Sequence, residues 1–265
     1  MKKIFQHFYI WFVLAFLYMP ILILSFYSFT DSKMIGTVHG FSLENYKTLF
    51  TEPELLSMLW GTVTLALAVG ILSTILGTAG AIGAFYSKKG LRSFVELANE
   101  VPIVNADVVT GFSVCILMIV LLHMNKDTYM PLVIAQTALC APFVYLSVMP
   151  RLKLMDQSLY EAALDLGCSS AKALIKVVLP QIASGIVSGF MTAITLSLDD
   201  YFIATYTKPA TFDTISTYVV NATRGAQTSI KTAIWALSAV MFLAVVIFTV
   251  VININAGNEE EEERI

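Results

Sequence analysis

The stretch Ser57–Phe85, SMLWGTVTLALAVGILSTILGTAGAIGAF, runs through small and apolar residues without one charged side chain. A helix needs roughly 20 such residues to cross the hydrocarbon of a bilayer. Backbone N–H and C=O groups find no water there, so each span must pair its own as a helix. The same pattern recurs along the chain. Spans are predicted at about Phe8–Ser28, Ser57–Phe85, Val95–Leu122, Met130–Met149, Ile182–Thr205 and Thr232–Ile254. The predicted fold is all-α, a polytopic membrane protein with six transmembrane helices in one domain over residues 1–265. The composition agrees: 57% of residues are hydrophobic and 13% charged, and the mean hydropathy is +0.76. A soluble domain carries about twice that charge.

Lys2 and Lys3 precede the first apolar block, as in a secretory signal. That block is longer than the about 7–15 apolar residues of a signal peptide, and no small-residue cleavage site follows. It reads as a retained first span. Orientation follows from Lys and Arg. With the N-terminus inside, the cytoplasmic segments hold Lys2, Lys3, Lys88, Lys89, Arg92, Arg151, Lys153, Lys172, Lys176 and Arg264. The outer segments hold Lys33, Lys47, Lys126, Lys208, Arg224 and Lys231. Ten against six puts both termini in the cytoplasm, along with the solvated acidic tail Glu259–Glu263. A cytoplasmic (plasma or inner) membrane is the expected location.

The net charge of −3 and the absence of a basic patch with interleaved aromatics give nucleic acid no footing. Cys115, Cys140 and Cys168 are far apart and show no metal spacing. His7, His39 and His123 lie near span ends or in loops, so an intramembrane enzyme has no base or ligand cluster to work with. Gly77, Gly80 and Gly83 lie near one side of the second span, where small residues let helices approach closely.

The loop over about 150–181 carries the most specific signal. In Ser158-Leu-Tyr-Glu-Ala-Ala-Leu-Asp-Leu-Gly167, good helix formers follow a cap at Asp156 or Ser158. Gly167 suits the left-handed position that ends a helix. A second helix is predicted over Ala171–Leu179, stopping near Pro180. Such a compact knob fits a partner's groove or lies flat on the membrane. The run Glu161-Ala162-Ala163-Leu-Asp165-Leu-Gly167, with Pro180 beyond it, resembles the EAA signature of binding-protein-dependent ABC importer permeases. The resemblance implies that these residues form a coupling helix docking on an ATPase subunit. Cys168-Ser169 departs from the usual Ala-Ser, a second Pro after Pro180 is missing, and Asn105-Ala106-Asp107 replaces a common Pro-Asp. No Gly-x-x-x-x-Gly-Lys-Ser/Thr loop occurs. The chain is therefore expected to hold no cofactor and to be no enzyme, with ATP and Mg bound by the partner ATPase.

Glu100, Asp107, Asp199 and Asp200 fall within or near spans, where a carboxylate costs several kcal/mol unless it faces water or a partner. Glu96, Glu100 and Asp107 are offset by four and seven residues and are predicted on one helical face, unless Pro102 kinks it. Tyr201 and Tyr206 add aromatic faces that hold cations. Acids and aromatics together suit a path for an organic polycation. The plainer readings are interfacial acids for Glu96 and Glu100, and structural glue for Asp199 and Asp200. Ser197-Leu-Asp199-Asp200 and Phe41-Ser-Leu-Glu-Asn-Tyr46 resemble segments of the spermidine/putrescine branch of these permeases, specifically its C-type subunit. The resemblance implies polyamine import, delivery by an extracytoplasmic binding protein, a second homologous permease and two ATPase subunits. The alternatives are an importer permease for another small solute, or an ATPase-independent secondary transporter or channel.

Overall fold

The computed structural model describes residues 2–30, 40–125, 127–224, 235–247 and 250, with the side chains of 2–8 and 222–224 left aside. The acidic tail Glu259–Glu263, His39 and much of the sixth predicted span lie outside the described residues. Helices dominate: α1 Lys2–Ser28, α2 Glu44–Thr51, α3 Pro53–Phe85, α4 Lys89–Val104, α5 Asp107–Leu121 and α6 Met130–Leu154. They continue as α7 Gln157–Asp165, α8 Ser170–Gln181, α9 Ala183–Asp199, α10 Phe202–Thr207, α11 Ile215–Arg224 and α12 Trp235–Ile247. Among the described residues three helices are long and apolar enough to cross a membrane, or up to five if each of two bent pairs counts as one span. The part of the sixth predicted span that is described is α12.

Two predicted spans are not continuous helices. The third breaks at Asn105-Ala106, where α4 and α5 meet at 107°. Pro102 lies inside α4, so the proline is not the break. Asn105 and Ala106 are both extended. Two local bonds brace the break: Asn105 N–H reaches Val101 O at 3.1 Å, and its side-chain amide donates to Thr110 Oγ1 at 3.1 Å. The fifth predicted span, Ile182–Thr205, stops at Asp199 and restarts at Phe202. Upstream, α8 and α9 form the second bent pair, at 72°.

The chain divides into two compact units, 1–57 with 219–265, and 58–218. In the first, α1 is largely apolar and exposed over most of its described length, with Ser28 buried at its end. Its C-terminal carbonyls lack helical partners, and the motif at 41–46 supplies them. Buried Asn45 donates to Ser28 O at 3.0 Å and Thr30 O at 2.9 Å, and Tyr46 Oη lies 2.8 Å from Ser28 Oγ. Phe29 stacks on Phe41.

In the second unit α6 is the central element. Its Val144 is fully buried between two glycines of different helices. A Cβ at Gly77 of α3 would stand 2.6 Å from Val144 Cβ and 2.7 Å from Ala141 O. A Cβ at Gly189 of α9 would stand 3.1 Å from Val144 Cα. These approaches supply the dispersion contacts that hold helices together where lipid is as apolar as the protein. Of the three glycines singled out in the second span, only Gly77 is such a contact. Gly80 meets nothing nearer than 3.9 Å and Gly83 nothing within 4 Å.

Gly77→Ala is therefore expected to destabilise the bundle by about 2 kcal/mol through overpacking, whereas Gly83→Ala is neutral or stabilising by up to about 1 kcal/mol. Thermal denaturation of the detergent-solubilised protein checks this; equal melting points for the two variants would contradict the packing.

Candidate functional site

The two interrupted spans come together in the second unit. Gly111 of α5 permits close backbone approach: a Cβ there would lie 3.1 Å from Ile203 Cα. One turn on, Cys115 Sγ donates to Tyr206 O at 3.2 Å, and the rings of Phe112 and Tyr206 meet edge-on at 5.8 Å. Residue numbers rise together along both helices, so α5 and α10 run parallel. Their N-terminal ends lie at one level, with Asp107 opening α5 and Asp199-Asp200-Tyr201 leading into α10.

The acids at this level differ in environment. Asp107 and Asp199 are exposed, while Asp200 is half-buried with its carboxylate fully engaged. Asp200 Oδ1 accepts from Ile203 N at 3.0 Å. Oδ2 accepts from Ala204 N at 2.9 Å and from Gln136 Nε2 at 2.7 Å. The other end of the Gln136 amide accepts from Ser197 Oγ at 2.8 Å. The carbonyl of Leu198, left over at the end of α9, accepts from Ser216 Oγ at 2.7 Å. Two N–H groups at the start of α10 and one carbonyl at the end of α9 are thus paired inside the protein, where a membrane helix finds few alternatives. Hydrogen bonds to a charged group are worth about 1.5–3 kcal/mol each. Gln136 is fully buried and went unnoticed in the sequence. The only available signal was an amide alone in an apolar helix.

The remaining acids separate. Glu100 is exposed on α4, across the 107° bend from Asp107, so the predicted single face does not hold. Glu96 is tied to Arg92 at 3.1 Å. Tyr201 and Tyr206 are both half-buried, and the Tyr201 ring packs edge-on against Phe202 at 5.2 Å.

The loop beyond α6 folds as its residues predict. Asp156 Oδ1 accepts from Ser158 N at 2.9 Å and starts α7. That bond, with the Ser158 side chain, holds the exposed Asp156 carboxyl below its ordinary pKa. At the other end Gly167 has φ +87°. Gly167 N donates to Leu164 O at 2.9 Å and Cys168 N to Ala163 O at 3.1 Å, the paired bonds of a Schellman termination. Ala163 faces inward, while Glu161, Ala162, Asp165 and Gly167 are exposed. Leu166 is 87% exposed and Leu159 48%, leaving an apolar tip. The Tyr160 ring rests on Tyr86 at 5.2 Å. The second helix is longer than predicted. It ends at Gln181, one residue past Pro180 and so near the predicted stop, and the turn Leu174–Val178 is π-helical.

Comparison with known proteins fits this architecture. The family described as binding-protein-dependent transport system inner membrane component matches residues 1–256. The putrescine transport system permease protein PotI of Escherichia coli (strain K12) is 32% identical over 219 residues, covering 79% of this chain and 76% of that protein. The spermidine/putrescine transport system permease protein PotC of Haemophilus influenzae is 28% identical over 238 residues, covering 89% and 91%. A bacterial ABC transporter involved in import of the acidic polysaccharide alginate shares the fold, with a TM-score of 0.73, 20% identity and coverage of 97% and 94%. The chain belongs to the family of binding-protein-dependent transport system inner membrane components. It is a multi-pass inner-membrane permease subunit of an ABC importer, a transport component rather than an enzyme.

Gly167→Ala places a Cβ in open space but in left-handed backbone, a cost of about 1 kcal/mol. Amide hydrogen exchange at Gly167→Ala and Cys168 is expected to quicken about fivefold. Unchanged exchange there would contradict the termination described.

Proposed function

We propose that this chain imports a polyamine, spermidine or putrescine, as one of two homologous permease subunits of an importer driven by two ATPase subunits. A binding protein outside the membrane delivers the substrate. ATP and Mg are bound by the ATPase, which docks on α7 through Glu161, Ala162, Ala163, Asp165 and Gly167, with Pro180 in the adjoining helix. Leu166 at the exposed tip adds the apolar contact such docking needs. The Lys and Arg bias supports cytoplasmic termini, and the whole chain serves as a single membrane domain.

The observation that carries the substrate reading is the pair of exposed carboxylates, Asp107 and Asp199, at the level where two helices break. Exposed carboxylates at such depth suit a cation passing through water-filled space. A polyamine presents ammonium groups along a flexible chain, and two separated acids with Tyr201 and Tyr206 nearby match that chemistry. Glu100 lies on α4 across the bend from Asp107 and adds nothing to this pair. Asp200 belongs to the same level, with its oxygens already occupied. Relatives named for putrescine and spermidine add weight. The Phe41–Tyr46 motif adds little to the choice of substrate, because Asn45 and Tyr46 are engaged in holding the end of α1.

The test is uptake of labelled spermidine by cells lacking their own polyamine importers and supplied with the full transporter. Energy-dependent uptake is expected, with Asp199→Asn raising the half-saturating concentration about tenfold, the loss of one ammonium–carboxylate contact. An assembled complex that takes up no spermidine above background would overturn the polyamine assignment and leave the permease family standing.

A further inference from the structure

An amide buried in a membrane helix is costly unless both of its ends are paired. Both ends of Gln136 are paired, to partners on different elements: Ser197 of α9 at 2.8 Å, and Asp200 at 2.7 Å. The same Asp200 carboxylate holds the N–H groups of Ile203 and Ala204 at 3.0 and 2.9 Å. Asp199 and Asp200 are adjacent in sequence yet unlike in surroundings. Asp199 closes α9 and is exposed. Asp200 has extended backbone, with φ −67° and ψ 114°, and its carboxylate turns onto α6 and the first turn of α10.

We propose that Gln136 is a positioning residue for transport. It holds the Asp200 carboxylate as the cap of α10, fixes the break between α9 and α10, and leaves Asp199 and Asp107 to meet the substrate. This rests on the polyamine-permease reading above. The two acids therefore divide the work, one building the break and its neighbour facing the cation.

The geometry makes a swap possible. Gln136→Glu alone sets a second carboxylate against Asp200. Adding Asp200→Asn restores the bridge: the new glutamate accepts from Ser197 Oγ and from the new side-chain amide, whose oxygen keeps the Ile203 N–H, and only the Ala204 N–H, which shares Oδ2 with Gln136 in the native chain, gives up its acceptor. The experiment uses the complete importer in proteoliposomes, with spermidine concentration varied outside. Gln136→Glu is expected to lower the maximal uptake rate about tenfold while the half-saturating concentration stays within about twofold. The double variant is expected to return to within about threefold of the native rate, and Asp200→Asn alone to keep the native half-saturating concentration. A double variant no better than Gln136→Glu overturns the proposal. So does a rise of about tenfold in half-saturating concentration for Asp200→Asn, which would make Asp200 a substrate ligand.

Melting of the same complexes is followed in parallel and needs no substrate. If the native importer takes up no spermidine, the polyamine reading fails by itself. The swap is then decided by melting, where restored stability in the double variant supports the proposal and unrestored stability overturns it.

Discussion

One carboxylate sits at the hinge of this structure. Asp200 joins the side chain of Gln136 to two backbone amides at the start of α10. Inside a bilayer a helix cannot simply stop, because its orphaned N–H and C=O groups have no water to turn to. The Asp200 contacts answer the donors, and Ser216 answers the carbonyl of Leu198. These three pairings help to stabilise the break. From it follows the placement of α10, and from the fit of Gly111 against Ile203 follows the level at which Asp107 and Asp199 stand.

Packing provides the frame within which that bond is made. Val144 of α6 is held between Gly77 and Gly189, so α3 and α9 approach the same turn of one helix. Close approach fixes the distance between α6 and α9. That distance places Gln136 within reach of both Ser197 and Asp200. Small residues thus do in lipid what large apolar ones do in water, and they also position the buried polar network.

Much of this was legible in the chain. The apolar blocks announce membrane helices, because few other folds need such long uncharged runs. Asp156 and Gly167 announce the ends of α7, because caps and left-handed terminations are local and depend on neighbouring residues alone. The breaks were harder to see. Asn105-Ala106 contains neither proline nor glycine, while Pro20, Pro142 and Pro150 lie inside continuous helices. The partners of Gln136 lie 61 and 64 residues away, beyond any periodicity. Asp199 and Asp200 look alike in sequence, and only the three-dimensional arrangement of α6 and α10 distinguishes the engaged acid from the exposed one.

The most direct measurement is an experimental structure of the assembled importer trapped with spermidine in the membrane path. The account predicts ammonium groups within hydrogen-bonding distance of Asp199 and Asp107, with Asp200 still held by Gln136 and the amides of α10. Spermidine bound to Asp200 with Gln136 displaced, or absent from the level of the two breaks, would contradict it.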